Sequence, residues 1–236
     1  MVGANGPAKK SDLSVRAVSA VVMVAVAGTA LWLGDWWWTA FILLVAYGVI
    51  IEWYKLAKRI SAGMLALLLW MIAAAVYLGA ATFTLWMLRN DFWWGSWELV
   101  AIPISMVVAT DIGAYFAGRT LGGPKIAPKI SPSKTWSGLL GGMIAAAVAS
   151  VIWTQFDPAN HVDPIPLWFL IPAGALIAIT AQAGDFFESW MKRRAGVKDS
   201  GSLIPGHGGL FDRVDGLLAV MFVIGVITII GKLTAA

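Results

Sequence analysis

Long apolar stretches, separated by short polar segments, make up most of this 236-residue chain. A helix needs about 20 mainly apolar residues to span a bilayer, and the pattern predicts seven such helices. The third stretch is the longest, so it is either one tilted helix or two pieces that meet near Gly79. The fold class that follows is an all-α, polytopic membrane protein. The predicted helices cover residues 13–33, 37–56, 63–88, 97–119, 136–154, 165–188 and 215–234.

The positions of the basic residues indicate how these helices are oriented. Cytoplasmic loops of membrane proteins carry an excess of lysine and arginine. If the N-terminus is cytoplasmic, fifteen of the seventeen basic residues lie on the cytoplasmic side, and only Arg89 and Lys232 lie outside. One helix more or fewer would destroy this asymmetry. We therefore expect residues 1–12 to form a cytoplasmic tail and the C-terminus to lie outside.

The composition excludes several functional classes. Charged residues make up 13% of the chain, against roughly 25% in soluble domains. There is no extended basic domain, so nucleic acid is not an expected partner, and the absence of cysteine excludes disulfides and thiolate chemistry. No internal repeat divides the chain. We predict a single membrane domain over residues 1–236, without the internal symmetry that is typical of many transporters.

Two predicted cytoplasmic loops, residues 119–135 and 189–214, differ from the other loops. Both are rich in Gly, Pro, Ser and Lys, a composition typical of irregular backbone that binds a polar ligand. The second loop leads into the run PGHGGLFDRVD at residues 205–215. Its glycines allow backbone N–H groups to converge on an anion beside the start of a helix. We expect both loops to belong to an active site.

Four aspartates lie near the cytoplasmic ends of the predicted helices. An isolated charge in a membrane is costly unless it is paired or binds a metal. Asp111 alone is as consistent with an ion pair as with catalysis. Asp185, Asp212 and Asp215 together favour a divalent cation, although acids at a helix start also stabilise the helix dipole. Oxygen ligands without cysteine favour Mg²⁺ or Mn²⁺ over Zn²⁺.

Cationic and hydroxyl side chains in the two loops are the groups that neutralise a polyphosphate. The same lysines also satisfy the cytoplasmic charge bias, and those after the sixth helix would attract anionic lipids. His207 could be a general base, a phosphate donor or a partner that fixes the loop, and we favour the last two. We expect His161 to be exposed and without a role. The candidate phosphate-binding residues are Lys129, Ser131, Lys134, Lys192, Arg193, Lys198, His207, Gly208, Gly209 and Arg213.

The polar segments together resemble a known family. The runs SWMKR (189–193), KD (198–199) and PGHGGLFDRVD (205–215) resemble the signature of the phosphatidate cytidylyltransferases, also called CDP-diacylglycerol synthases. Upstream, DIGAYFAGR (111–119), KISPSKTWSG (129–138) and GDFFE (184–188) are also similar to that family. The resemblance covers the chain from Asp111 to Asp215 and is only general in the N-terminal half.

The resemblance implies a reaction in which CTP and phosphatidic acid give CDP-diacylglycerol and pyrophosphate. It implies dependence on Mg²⁺, a place among the lipids of a bacterial inner membrane with the site facing the cytoplasm, and a homodimer. We expect Asp185 and Asp212 to hold the metal, with Asp111 or Asp215 as a further ligand. The expected catalytic residues are Asp111, Asp185, Lys192, Asp212 and Arg213.

Other functions are weighed against this one. An ion-coupled transporter would use Asp111 and Asp185 as carriers, but it needs an outward route, whereas the polar groups here cluster at one end. The CDP-alcohol phosphotransferases carry D-G-x-x-A-R…G…D-x-x-x-D, and Asp212 and Asp215 are only three residues apart. A purely structural membrane protein leaves the charge of residues 184–215 unexplained.

Overall fold

The computed structural model of the protein describes residues 8–91, 95–155, 166–204 and 208–235. Within these ranges the chain forms seven long helices and one short hairpin, so the predicted all-α fold is confirmed. The helices are α1 (Ala8–Leu33), α2 (Asp35–Ile60), α3 (Met64–Asn90), α4 (Trp97–Thr120), α5 (Trp136–Gln155), α6 (Leu167–Arg194) and α7 (Phe211–Ala235). The hairpin strands are β1 (Lys125–Ala127) and β2 (Ser131–Thr135).

The apolar lengths of these helices are those of an integral membrane protein. Among the described residues, α2 to α7 are long and apolar enough to span a bilayer, and α1 has a shorter apolar part, Ala17–Leu33. The third predicted span is one continuous helix, Met64–Asn90, and not two pieces that meet near Gly79. Gly79 lies within this helix without interrupting it, and a Cβ at this position would meet no other atom within 4 Å.

Several helices extend beyond their apolar stretches into the polar segments. α6 continues to Arg194 instead of residue 188, and α7 starts at Phe211 instead of residue 215. Lysine, arginine and glutamate are good helix formers, so a helix can continue where hydrophobicity stops. The predicted loop 189–214 is therefore helical at its start and its end. Lys192 and Arg193 lie on α6, and Asp212 lies in the first turn of α7.

The predicted loop 119–135 is not wholly irregular, because it contains the antiparallel hairpin. Lys125 pairs with Thr135 and Ala127 with Ser131, with an irregularity between these pairs. Gly122 and Gly123 have φ of 63° and 103°, values that glycine adopts without steric cost. They turn the chain back from the end of α4 into β1. The hairpin returns directly into α5 and leaves Lys134 beside α6.

Neighbouring helices in the first half of the chain run antiparallel. At one end of the protein, Arg89 Nε of α3 donates to the carbonyl of Leu31 in α1 at 2.9 Å. At the same end, Trp38 Nε1 of α2 donates to the carbonyl of Leu85 at 3.0 Å. These contacts join the end of α1, the start of α2 and the end of α3. The opposite end, where α2, α4 and α6 finish and α7 begins, is called the site end below.

Aromatic packing joins α2, α3, α6 and α7 near the site end. Trp53 of α2 is 1% exposed and is the centre of this packing. Its ring lies 5.5 Å from that of Phe187 and 5.6 Å from that of Phe211, measured between centroids. Trp70 and Tyr77 of α3 complete the cluster. The helices that carry the polar residues of the site end are thereby held against α2 and α3.

α4 and α5 pack closely through small residues. A Cβ built on Gly113 would lie 2.5 Å from the carbonyl oxygen of Gly141, and one on Gly138 would lie 3.0 Å from that of Ala114. Small residues allow membrane helices to approach to backbone contact, where dispersion forces hold them together. The approach fixes the end of α4, and therefore Asp111, relative to the hairpin and α5.

We predict that Gly141→Ala destabilises the protein and that Gly79→Ala does not. The new methyl group at position 141 would lie 2.8 Å from the carbonyl oxygen of Gly113 and would overlap Ala117. Overpacking of this kind costs about 1–3 kcal/mol. Position 79 is open, and alanine there favours the helix by up to about 1 kcal/mol. Thermal unfolding in detergent measures both, and equal melting temperatures would contradict the close packing.

Candidate active site

A polar cleft of about 450 Å³ opens at the site end, where α4, α6 and α7 meet. Its walls carry acids from all three helices and several cations, and its floor is apolar. A larger cavity of about 540 Å³ between α2 and α3 has no acidic or basic residue in its lining, so we place the chemistry in the smaller cleft. The charged residues that line the cleft are Asp111, Asp185, Glu188, Lys192, Arg193, Lys198, Asp199, Asp212, Arg213 and Asp215.

The acids meet because α6 and α7 touch at a glycine. A Cβ built on Gly184 would lie 2.5 Å from the carbonyl oxygen of Asp215 and 2.7 Å from Cβ of Ala219. Since α7 lies against the backbone of α6 at this point, the next residue, Asp185, lines the same cleft as Asp215. Asp111 of α4 lines the same cleft. All four predicted metal ligands thus line this cleft.

The hairpin supplies the cation that balances Asp185. Lys134 Nζ lies 2.5 Å from Asp185 Oδ2. Ser189 Oγ, one turn further along α6, donates to Asp185 Oδ1 at 3.4 Å. The Asp185 side chain is still 30% exposed, so it is accessible from the cleft. The predicted phosphate-binding lysine and the predicted metal-binding aspartate are therefore direct partners.

One lysine is shared by two further acids. Lys192 Nζ lies 2.5 Å from Glu188 Oε2 and 2.5 Å from Asp212 Oδ1. The Glu188 side chain is 1% exposed, and its oxygens have no hydrogen-bond partner in the described residues. The charge of Lys192 is therefore what compensates the burial of Glu188. A buried carboxylate with no such partner would cost several kcal/mol.

The second oxygen of Asp212 binds the loop between α6 and α7, residues 195–210. Asp212 Oδ2 accepts from Ser200 N at 3.0 Å, from Ser200 Oγ at 2.9 Å and from Gly209 N at 2.9 Å. A carboxylate has about four acceptor positions, and Lys192 occupies one on the other oxygen. Asp212 thus already has four partners. Its predicted metal ligation stays a prediction, and its contacts support a role in holding the loop.

Glu52 of α2 belongs to the same network and was overlooked in the sequence. It is fully buried, at 0% exposure. Its carboxylate accepts from Leu210 N at 3.0 Å, Phe211 N at 2.8 Å and Ser200 Oγ at 3.0 Å. Glu52 is the only acid in the predicted span 37–56, and an isolated acid in a membrane helix is a signal of function. That signal could have identified it.

Comparison with known proteins identifies the family. A model described as "Cytidylyltransferase family" matches residues 70–230, more than half of the chain. The chain belongs to the cytidylyltransferase family. The resemblance expected from the sequence is thereby confirmed, and the matched region contains every acid that lines the cleft.

Three curated relatives of this cytidylyltransferase are each named phosphatidate cytidylyltransferase. The phosphatidate cytidylyltransferase of Brucella suis biovar 1 (strain 1330) is 33% identical over 89% of this chain and 90% of its own length. That of Rickettsia bellii (strain RML369-C) is 35% identical, covering 89% and 88%. That of Haemophilus influenzae (strain ATCC 51907 / DSM 11121 / KW20 / Rd) is 39% identical, covering 79% and 63%.

Only some of the remaining predicted residues of this cytidylyltransferase line the cleft. Arg193, Lys198 and Arg213 are exposed and line the cleft. Arg193 Nε also donates to the carbonyl of Ile130 at 3.4 Å, which joins α6 to the hairpin. Among the described candidates, the residues that do not line the cleft are Lys129, exposed in the hairpin turn, Ser131, buried at the start of β2, Lys134, which pairs with Asp185 from β2, and Gly208 and Gly209, beside Asp212. His207 and His161 lie outside the described residues.

The donor set of the cleft fits a hard divalent cation. Six acids line the cleft, and in the described ranges Lys134 and Lys192 form ion pairs with three of these, Asp185, Glu188 and Asp212. The donor atoms that the cleft offers to a cation are therefore carboxylate oxygens. No three acidic or histidine side chains in those ranges converge on one point. Proteins usually hold Mg²⁺ through one or two carboxylates, substrate phosphates and water.

We predict that Lys192→Met lowers the stability of the protein by about 3–5 kcal/mol, because Glu188 then becomes a buried charge without a partner. The double variant Glu188→Gln, Lys192→Met removes that charge and should recover much of the loss. Lys55→Met, at an exposed position of α2, is the matched control. Thermal unfolding in detergent compares the three. A single variant as stable as the control would refute the compensation by Lys192.

Proposed function

We propose that this protein transfers the cytidylyl group of CTP to phosphatidic acid, giving CDP-diacylglycerol and pyrophosphate. The observation that carries the proposal is the cleft itself, in which acids and cations from three membrane helices lie at one end of the bundle. The function named for the similar relatives agrees with it. Such a cleft suits a reaction between a membrane lipid and a soluble nucleotide.

The reaction joins two anions, so the site must neutralise them. A phosphate oxygen of the lipid attacks the α-phosphorus of CTP, and the bond from that phosphorus to the bridging oxygen of the β-phosphate breaks. Pyrophosphate leaves with the electron pair of that bond. Phosphoryl-type transfers of this kind depend mainly on positioning and on electrostatic stabilisation. No side chain needs to act as the nucleophile.

The cations divide into two groups by their place in the cleft. Arg193, Lys198 and Arg213 are exposed at its rim, where they can bind the triphosphate as it arrives from water. Lys134 and Lys192 are less exposed and already contact acids. We assign these two to the reacting phosphates. Lys129, Ser131, His207, Gly208 and Gly209 are kept as residues that shape the nucleotide site around them.

We assign metal binding to Asp111, Asp185 and Asp215, because these acids line the cleft and have few other partners. A bound Mg²⁺ or Mn²⁺ would neutralise charge on the phosphates. Asp212 is proposed to contribute mainly by orienting Lys192 and the loop. Lys134 balances the negative charge of Asp185. Its position beside Asp185 also places it next to any phosphate bound there.

We also propose that the cleft faces the cytoplasm of a bacterial inner membrane. The basic residues predicted to be cytoplasmic cluster at the site end, and CTP is made in the cytosol. The diacyl chains of the substrate would remain among the bilayer lipids, next to the apolar floor formed by Val107, Ala181 and Leu217. A homodimer is proposed on the family resemblance alone.

We predict that Asp185→Asn lowers the formation of CDP-diacylglycerol at least 100-fold while the protein remains folded. The change removes the negative charge from the one predicted metal ligand that also contacts Lys134. Asp35→Asn, at the opposite end of the protein, is the control and should retain activity. The assay follows labelled CTP into lipid with purified protein and phosphatidic acid. Activity of Asp185→Asn near that of the control would refute the assignment.

We predict that EDTA stops the reaction and that added Mg²⁺ or Mn²⁺ restores it. A triphosphate together with the six acids that line the cleft carries more negative charge than the cations of the cleft can balance, and a divalent cation would supply the remainder. Ca²⁺ is a useful comparison, since it prefers more ligands and longer bonds. Turnover that persists in EDTA would exclude the metal part of the proposal. Uptake of a solute into vesicles without consumption of CTP would favour the transporter instead.

A further inference from the structure

Glu52 has surroundings that simple structural stabilisation does not explain. It lies within the apolar span of α2, and its side chain is fully buried. No cation among the described residues forms an ion pair with it. The N–H groups of Leu210 and Phe211 donate to its carboxylate instead, and the single hydroxyl hydrogen of Ser200 is shared between Glu52 and Asp212. An intramembrane acid is expensive, and such residues usually mark a functional site.

The partners of Glu52 lie at the start of α7. The N–H groups of Leu210 and Phe211, which donate to Glu52, are among those that a helix start leaves unpaired. Such groups are normally bound by a Ser, Thr, Asp or Asn next to them in the chain. Here the acceptor lies 158 residues away, on another helix. The contact therefore fixes the position of α7 relative to α2, which a local cap cannot do.

The loop between α6 and α7 closes tightly around the Glu52 carboxylate. A Cβ on Gly201 would lie 2.7 Å from Glu52 Cδ, and one on Gly209 would lie 2.7 Å from Glu52 Oε2. Both positions need glycine because the backbone of the loop passes directly over the side chain. Gly201 and Gly209 therefore have little room to move while Glu52 is in place.

Ser200 connects Glu52 to Asp212. Its hydroxyl lies 3.0 Å from Glu52 Oε2 and 2.9 Å from Asp212 Oδ2. A hydroxyl has one hydrogen and two acceptor positions, so this single group lies between two carboxylates. Asp212 in turn accepts from Lys192 through its other oxygen. A continuous chain of contacts thus runs from Glu52 through Ser200 and Asp212 to Lys192.

We infer that Glu52 is a positioning residue, which acts through Ser200 to orient Asp212 and Lys192 in the cleft. This inference rests on the proposed function, since the reaction supplies its kinetic test. Glu52 lies outside residues 70–230, the region that matches the family. It touches neither the cleft nor its cations. Glu52 affects the reaction through the start of α7, because that part of the helix determines the position of Asp212.

The test compares Glu52→Gln, Ser200→Ala and the double variant in the lipid assay. Misplacing a reacting group by about 1 Å can cost 10²-fold in rate, so we expect kcat to fall by about tenfold or more in Glu52→Gln, with a smaller change in KM for CTP. If Glu52 acts through Ser200, the double variant is no slower than the slower single variant. Glu98→Gln, in the first turn of α4, is the control with unchanged kinetics.

Ser200→Ala keeps the test decisive if Glu52→Gln fails to fold. It removes one hydroxyl and leaves the backbone N–H of Ser200 bound to Asp212, so we expect a normal melting temperature and a lowered kcat. Normal kcat in a folded Ser200→Ala variant would overturn the inference, as would multiplicative effects in the double variant. Loss of stability without a change in kcat would show a purely structural role.

Hydrogen exchange tests the same inference without the reaction. In Glu52→Gln the amides of Ser200 and Gly209, which donate to Asp212, should exchange faster than in the unaltered protein, while those of α5 should not change. Unchanged exchange at these two amides would overturn the inference. An unaltered protein that makes no CDP-diacylglycerol would instead refute the proposed function, so the two failures are distinguishable.

Discussion

The convergence of carboxylates from three helices is the constraint on which the site end depends. Asp111, Asp185 and Asp215 come from these helices and line one cleft. Lys134 and Lys192 form ion pairs with three of the acids there, Asp185, Glu188 and Asp212. An excess of negative charge is stable only if water or a cation reaches it. The cleft is therefore open on its polar side, and this opening also gives a nucleotide access to it.

The close approach of helices makes that arrangement possible. Gly184 brings α6 to the backbone of α7, and Gly113 and Gly141 bring α4 to α5. Without these contacts the acids would be separated by the width of ordinary side chains. Trp53 and the rings around it hold α6 and α7 against α2 and α3. Packing therefore supplies the geometry, and the charged residues supply the chemistry within it.

The sequence was sufficient to predict the helices and the meeting of the acids, because both follow from local patterns. Apolar runs indicate spans, and acids at corresponding ends of alternate spans must lie on one side. The hairpin was not predicted, since its strands of three and five residues are too short for a periodic signal. The partners of Asp212 were not predictable either. They depend on the path of a loop that distant residues determine.

The contacts of Glu52 were not predictable from the sequence either, and they determine how much of the chain is needed to form the site. Its hydrogen bonds go to backbone N–H groups, which every residue has, so no pairing of side-chain types could indicate them. The family model matches from residue 70, after α2 has ended, although the relatives are similar over a longer part of the chain. The shortest chain that can hold the start of α7 in place is therefore longer than the region that the family model matches. A protein trimmed to that region would keep all the charged residues of the cleft and lose the support beneath them.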